Sequence, residues 1–395
     1  MMTLIDGLFF VLRVVIFIAG VWLSLWTISQ ALRSFVLPRS DRAFLTNTTF
    51  RCVYYIFSKR FNENTPFAEK DRILAMLSPT AMFLLPLVWL SLLIVGYAGM
   101  YWAIDPALGA YDSLVLSGSS LMTLGFAFRD AMPIIWLGFS QAALGMMLVA
   151  LLIGYLPTMY SAFSLRESMV TKLETIAGTP PYHAMLIKRL ALLQMLNDPD
   201  EMKSYWQSWQ DWFVQIEENH TTLAPMNFFR SPAPDRHWLI AAGCILDAAA
   251  IIASSVKIER GIQAAITITP GYIALRTIAD YFNIEYNNKP KPNDPISVHY
   301  EEFIAVLEEL QAAGVPLYDD WEDCWDHYSG WRVNYDEVLL QLAWITTAPY
   351  GYWSSDRAMQ WREEDIPPPP IDGTLRERSK ANQVTDVNTG TVPMS

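Results

Sequence analysis

Hydrophobic residues form three long segments before residue 165, at 8–29, 79–103 and 133–163. A helix needs about 20 mostly apolar residues to cross a bilayer, so each segment predicts a transmembrane helix. Beyond residue 165 the apolar positions recur with helical spacing, and strand-like alternation is sparse. Helices are expected there at 183–196, 201–219, 237–256, 271–283, 299–313, 319–328 and 335–347.

A segment of different character lies between the second and third apolar segments. Residues 111–128 read YDSLVLSGSSLMTLGFAF, which is amphipathic and rich in Ser and Gly. Non-helical backbone at membrane depth is tolerated only where it is buried in protein or lines a water-filled path. This order of segments predicts a re-entrant pore helix over 112–122, followed by a non-helical turn at 123–126.

The residues of the turn resemble those of an ion-conducting motif. The tetrapeptide Thr-Leu-Gly-Phe at 123–126 occupies the positions that hold Thr-Val-Gly-Tyr in potassium channels. Residues 79–165 resemble the pore of the single-pore-loop bacterial relatives of these channels, in the broad group that includes the two-pore-domain channels. Two positions depart from the family pattern, since Ala127 replaces the second filter glycine and Phe128 replaces the acidic residue after it.

The resemblance implies a selectivity filter, in which backbone carbonyls replace the hydration shell of a cation. One chain supplies one turn, so a ring of carbonyls needs several copies, and a homotetramer is the family expectation. It also implies passive conduction of potassium or another monovalent cation, with no cofactor and no metal besides the permeating ion. The expected filter residues are Thr123, Leu124, Gly125, Phe126 and Ala127.

Ala127 puts the ion preference in question. A residue with a side chain costs about 1 kcal/mol or more at positive φ. Either the outermost turn of the filter differs from the family, or the outer ion site is altered. Weaker discrimination among monovalent cations is the hypothesis that follows, and the sequence leaves the preference open.

The third apolar segment contains two candidate hinges for gating, Gly145 and Pro157. Glycine and proline are positions at which a helix can bend. The alternative is that small residues simply let membrane helices approach each other.

Basic residues predict the orientation in the cell membrane. The connection 30–78 contains eight Lys and Arg residues, whereas 104–132 contains only Arg129. The positive-inside rule then places 30–78 and everything after Arg166 in the cytoplasm, with the mouth of the turn outside. The expected protein is a multi-pass plasma-membrane protein in contact with lipid.

The connection also contains apolar residues with helical spacing. They predict either a helix at the cytoplasmic interface or a connector packed against the cytoplasmic domain below it. The residues are Phe50, Val53, Tyr54, Phe57 and Phe61.

The soluble part is expected to be an acidic, helical cytoplasmic domain over 166–365. Between 167 and 365 there are 29 acidic and 14 basic residues, which disfavours nucleic acid as a partner because such surfaces are basic. The stretch 237–256 is long enough to be a fourth span, but Asp247 near its centre favours a buried helix. The polar segment 366–395 begins with four prolines and predicts a disordered tail.

The predicted fold is therefore an all-α membrane protein. It has a first transmembrane helix and connector (1–78), a pore unit (79–165), the cytoplasmic domain (166–365) and the tail (366–395). The pore unit comprises an outer helix (79–103), the pore helix and filter (111–128) and an inner helix (133–163).

No catalytic pattern accompanies this architecture. The five histidines are scattered, the three cysteines lie far apart, and neither GxGxxG nor a Walker A sequence occurs. An enzyme is not predicted, and the gating stimulus and any regulator or ligand of the cytoplasmic domain stay open. The aromatic and charged segment 331–336 predicts either packing in the core of the domain or a site that holds a ligand or a neighbouring subunit. The alternative to a channel is a non-conducting, membrane-anchored binding or signalling protein.

Overall fold

The computed structural model describes residues 4–35, 44–60, 65, 67–258 and 262–358. Within these residues all secondary structure is helical apart from an isolated bridge between Val256 and Leu317, so the predicted all-helical character is confirmed. The predicted tail at 366–395 lies outside the described residues. We number the α-helices in chain order: α1 (Leu4–Phe35), α2 (Phe44–Ser58), α3 (Phe67–Ala75), α4 (Leu77–Ile104), α5 (Gly109–Leu121), α6 (Met132–Ala177), α7 (His183–Leu192), α8 (Pro199–Thr222), α9 (Trp238–Ser255), α10 (Ile262–Phe282), α11 (Tyr300–Ala312), α12 (Trp321–Arg332), α13 (Asp336–Ile345) and α14 (Ser355–Ala358).

The helices group into two compact units. The first consists of Met1–Phe163 with Thr222–Phe229, and the second of Ser164–Thr221 with Arg230–Ser395. The division inside α6 lies close to the domain boundary that the sequence suggests after residue 165.

Four helical stretches are long and apolar enough to cross a membrane: Asp6–Ser34, Glu69–Ile104, Met132–Ala177 and Trp238–Ser255. They support the prediction of a membrane protein. In the most apolar window of the first stretch only 11% of the residues are buried, against 94% in the last. Because protein surrounds the last stretch, we assign it to the core of the second unit, as Asp247 led us to expect.

The first unit is built on the antiparallel pair α1 and α4. A side chain added at Gly20 would meet the Gly96 carbonyl oxygen at 2.5 Å, so the two glycines allow the backbones to approach closely. At the C-terminal end of α4, Arg13 donates from Nε to the Ala103 carbonyl (2.7 Å) and from Nη2 to the Ile104 carbonyl (2.8 Å). These bonds satisfy carbonyls that the end of α4 leaves without helical partners.

The connector helix α2 packs one face and exposes the other. Phe50 and Val53 are buried in a cluster with residues of α3 and α4, so this face packs within the first unit, and the contacts do not decide between the two interpretations of the connector. Tyr54 and Tyr55 on its other face are 50% and 62% exposed. Phe61 of the predicted pattern lies outside the described residues.

Helix α6 is longer than the predicted inner helix. It continues without interruption from Met132 to Ala177, through Pro157. At 1.5 Å per residue, its 46 residues span about 69 Å, more than twice the thickness of a bilayer's hydrocarbon core. Its last part therefore extends beyond any membrane-spanning segment.

The second unit surrounds α9. Helices α7, α10, α12 and α13 pack against it, and α8 adds the fully buried side chains of Trp206, Trp209 and Trp212 to the same core. All seven helices expected in this region are present, with shifted ends. The largest shift concerns the helix expected at 271–283, which begins at Ile262.

Candidate functional site

Helix α5, which covers the expected pore helix, lies against α4 and buries much of its serine-rich face. Ser113, Ser117 and Ser119 are at most 1% exposed. The Ser117 hydroxyl donates to the Ile94 carbonyl on α4 (2.9 Å). Because serine side chains are small, this face of α5 can approach the longer helices closely. Their hydroxyl groups also form hydrogen bonds within apolar surroundings.

The turn that follows α5 has an alternating backbone. Thr123 has a φ of +55° and Gly125 a φ of +72°, whereas Leu124 between them and Phe126 after them keep negative values. The turn starts from the last helical carbonyls: the Thr123 N–H donates to the Ser120 carbonyl (3.1 Å) and the Leu124 N–H to the Ser119 carbonyl (2.9 Å). Positive φ at Thr123 and Gly125 thus ends the helix and turns the peptide planes out of it.

This geometry leaves a run of carbonyls without donors. Within the described part of the chain, no backbone or side-chain group donates to the carbonyl oxygens of residues 123–126. Backbone carbonyls are obligatory acceptors, so these oxygens need water, an ion or another molecule. In potassium channels, rings of such carbonyls from several chains replace the hydration shell of the ion.

The large side chains of the turn are not buried within one chain. Leu124 is 64% exposed, Phe126 69% and Phe128 73%. The motif places the first two of these side chains in packing behind the filter, and a single chain does not supply that packing. Three exposed apolar side chains in succession form a surface that is unfavourable in water.

Ala127 escapes the strain that its position in the motif implies. Its φ is not positive, and its N–H donates to the Ser119 hydroxyl (3.2 Å). Of the two consequences expected from alanine at this position, the geometry matches a different outermost turn. After the turn, Arg129 pairs with Asp105 at the end of α4 (3.2 Å), which ties the loop back to the outer helix.

A buried polar cluster behind the turn was not predicted from the sequence. The Tyr101 hydroxyl donates to Gln141 Oε1 (3.1 Å), and Gln141 Nε2 donates to Ser117 Oγ (2.7 Å). The Ser120 hydroxyl lies 3.4 Å from that of Tyr101. The cluster joins α4, α5 and α6, and its sequence signal is a glutamine within a segment otherwise suited to lipid.

The two hinge candidates lie in different surroundings. A side chain at Gly145 would collide with the Leu121 carbonyl oxygen at the end of α5, so this glycine permits a close helix contact. Pro157 lies in the uninterrupted part of α6. It has no N–H to donate to the carbonyl of Ile153, four residues earlier.

The second unit contains a buried ionic cluster. Arg332 donates from Nη1 to Asp247 Oδ1 (2.5 Å) and from Nε to Asp336 Oδ1 (2.7 Å), and the Tyr335 hydroxyl donates to Asp247 Oδ1 (2.9 Å). Arg332 and Asp247 are completely buried. Of the two interpretations of 331–336, this burial favours core packing.

The buried histidines of this unit are neutral. Burial, together with the nearby charges of Arg332 and Arg357, lowers the pKa of His183 to about 3. Burial and Arg166 lower the pKa of His220 to about 3 as well. Among the described residues, no group of three or more His, Cys, Asp or Glu side chains is arranged to hold a metal ion.

Comparison with protein-family models, with curated proteins and with solved structures gives no match to this chain. What supports a function is thus the geometry of the turn and the resemblance of its residues to a filter motif.

Proposed function

We propose that the chain is one subunit of a homotetrameric channel of the cell membrane that passively conducts monovalent cations, with potassium as the expected ion. The carbonyls of residues 123–126 would line the path, and Ala127 would close its outer end. The observation that carries this proposal is the run of carbonyls without donors within the described residues, at the end of a helix whose serine-rich face is buried.

The exposed side chains of the turn favour several copies. Leu124, Phe126 and Phe128 lack cover within one chain. In a closed ring each turn would face the same axis, and neighbouring subunits would cover these side chains. Cyclic symmetry supplies such head-to-tail contacts without further sequence features.

The direction of α5 favours a cation over an anion. The C-terminal end of a helix carries partial negative charge, and α5 ends at Leu121, directly before the turn. Any ion at the turn would therefore lie close to the negative end of this dipole.

Orientation and regulation complete the proposal. The basic connection 30–78 and the acidic second unit would lie in the cytoplasm, where the second unit would regulate opening or stabilise assembly. Its lack of nucleotide-binding motifs leaves the regulator unidentified. Pro157 and Gly145 remain the hinge candidates of the inner helix.

Flux through reconstituted protein tests the proposal. Purified full-length chain in lipid vesicles is expected to pass thallium, a potassium surrogate, into vesicles that hold a quenched dye. Thr123→Ala is expected to change the flux because it removes the filter hydroxyl. Thr158→Val is the matched control, since that hydroxyl is exposed and bonds only within α6.

Wild-type protein that assembles and carries no flux above empty vesicles would contradict the channel. It would favour the membrane-anchored binding protein instead. Equal flux in wild type and Thr123→Ala would mean that ions take another path.

A further inference from the structure

Gln141 is the most unusual polar residue of the first unit. It is fully buried in the apolar part of α6, yet both ends of its amide are bonded, one to Tyr101 of α4 and the other to Ser117 of α5. An amide in such surroundings is costly unless it is hydrogen-bonded. Its bonds therefore fix how the three helices lie against each other.

The contact face of α6 gives Gln141 its role. Gly138 lies three residues before Gln141, and Gly145 lies four residues after Gln141. At this spacing the three residues share one face of α6. A side chain at Gly138 would lie 3.6 Å from Ser120 Oγ, and one at Gly145 would collide with the Leu121 carbonyl. The glycines bring α5 close, and the glutamine between them forms the hydrogen bond.

A short path leads from Gln141 to the turn. Ser117 and Ser119 belong to the same rigid helix, α5. The Ser119 hydroxyl accepts from the Ala127 N–H (3.2 Å), and its carbonyl accepts from the Leu124 N–H (2.9 Å). Ser119 thus holds the turn at two points. It lies two residues after Ser117, which is the partner of Gln141 on α5.

We propose that Gln141 is a positioning residue for the conducting turn. By holding α5 against α6, it sets where Ser119 lies and hence how the carbonyls of residues 123–126 are presented. As a role in conduction this rests on the proposed function, whereas the effect on the geometry of the turn is independent of it.

The first experiment measures ion preference. In vesicles, the potassium-to-sodium permeability ratio of Gln141→Leu is expected to fall about threefold to tenfold, which corresponds to the loss of one or two membrane-buried hydrogen bonds. Gln141→Glu keeps the shape and, when protonated, can donate one bond and accept another, so it is expected to retain most of the ratio. The control Thr158→Val is expected to keep the wild-type ratio.

The second experiment reads the turn without any ion flux. In a Cys52→Ser background, which removes the exposed thiol, Ala127→Cys is labelled with a membrane-impermeant maleimide. Adding Gln141→Leu is expected to raise the labelling rate at least about threefold, because Ala127 is released from Ser119. Adding Thr158→Val is expected to leave the rate unchanged, and the unfolding temperature of each protein identifies variants that fail to fold.

The two experiments separate the failures. Unchanged permeability ratio and unchanged labelling in a folded Gln141→Leu protein would overturn the positioning role. Faster labelling in a protein whose wild type carries no flux would support the positioning role and refute the channel. A lower unfolding temperature in Gln141→Leu with wild-type ratio and labelling would show a purely structural residue and would also overturn the inference.

Discussion

Replacing Gly125 by alanine changes the turn through backbone conformation alone. Gly125 has a φ of +72°, and a methyl group added to it would have no heavy atom of its surroundings within 4 Å. The substitution therefore creates no collision within the chain. Its effect comes from the cost of holding an alanine in the left-handed region.

That cost is about 1 kcal/mol per chain. If the conducting turn requires positive φ here, the cost lowers the population of the competent turn about fivefold in one subunit. Four independent subunits would multiply this to roughly 600-fold. The alternative for each chain is to relax to negative φ, which rotates the neighbouring carbonyls away from the arrangement of the native turn.

Thallium flux into vesicles that hold full-length protein measures the effect. Gly314→Ala is the matched control, because Gly314 also has positive φ (+80°), also has no atom near the added methyl group, and lies in the second unit. Both variants are expected to lose similar amounts of stability. Only Gly125→Ala is expected to lose most of the flux.

Two results would contradict this reasoning. Flux of Gly125→Ala within about twofold of wild type would mean that positive φ at this position is not needed for conduction. Equal losses in both variants would mean that the flux reports folding and not the turn.

Three further tests address other parts of the structure. Arg332→Met should lower the free energy of unfolding of the second unit by about 3–5 kcal/mol, because it leaves two buried carboxylates without their ion-pair partner. Asp247→Asn should lower it less, because the ion pair between Arg332 and Asp336 stays intact. Chemical denaturation of each variant measures the free energy of unfolding. Burial raises the pKa of Glu174 from 4.5 to about 7, although Arg236 pairs with it. The protonated carboxyl therefore contributes to the stability of the fold below pH 4.5, and this contribution is lost as the pH rises through 7. Glu174→Gln should therefore unfold at a higher temperature than wild type at pH 8 and at a similar one at pH 5. Gly96→Ala should lower the unfolding temperature through collisions between α1 and α4, and Gly154→Ala, whose methyl group would meet nothing within 4 Å, should not.

The sequence predicts the helices well because their signal is local. Apolar segments of spanning length and helical periodicity depend on neighbouring residues only. The misplaced start of α10 shows the limit of such signals, since Pro270 and Gly271 are typical of a helix start. The helix nevertheless continues through both residues. A side chain at Gly271 would meet Leu246 at 2.5 Å and Phe213 at 3.2 Å, so this glycine allows α10 to pack closely against its neighbours and does not end a helix.

The backbone of the turn is only partly predictable. Glycine at 125 indicates positive φ, but nothing in the residue type of Thr123 does. The left-handed φ of Thr123 accompanies the bond of its N–H back to the Ser120 carbonyl at the end of α5. Conversely, the motif implies positive φ at Ala127, but the φ of Ala127 is not positive. Its N–H donates to the Ser119 hydroxyl. Residue type alone does not decide which backbone the surrounding helices permit.

Contacts between distant segments are beyond local signals. Asp247 indicates only that its helix should not cross a membrane, and its partner Arg332 lies 85 positions away. Gln141 likewise indicates a polar residue in an apolar helix, but not that Tyr101 donates to its amide oxygen or that Ser117 accepts from its amide nitrogen. These pairings depend on how the helices are arranged, which a single sequence does not reveal.

The contacts of α6 separate the two hinge candidates. Gly145 touches the Leu121 carbonyl, and Gln141 one turn earlier is bonded to α5, so bending at Gly145 would break the contacts that hold the pore helix. Pro157 lies three turns further along, is exposed, and already lacks one helical hydrogen bond. Bending there would move the later part of α6 and leave the part that holds α5 in place. In the proposed channel, Pro157 and not Gly145 would therefore be the position at which α6 bends to open a path, because the turn would keep its contacts.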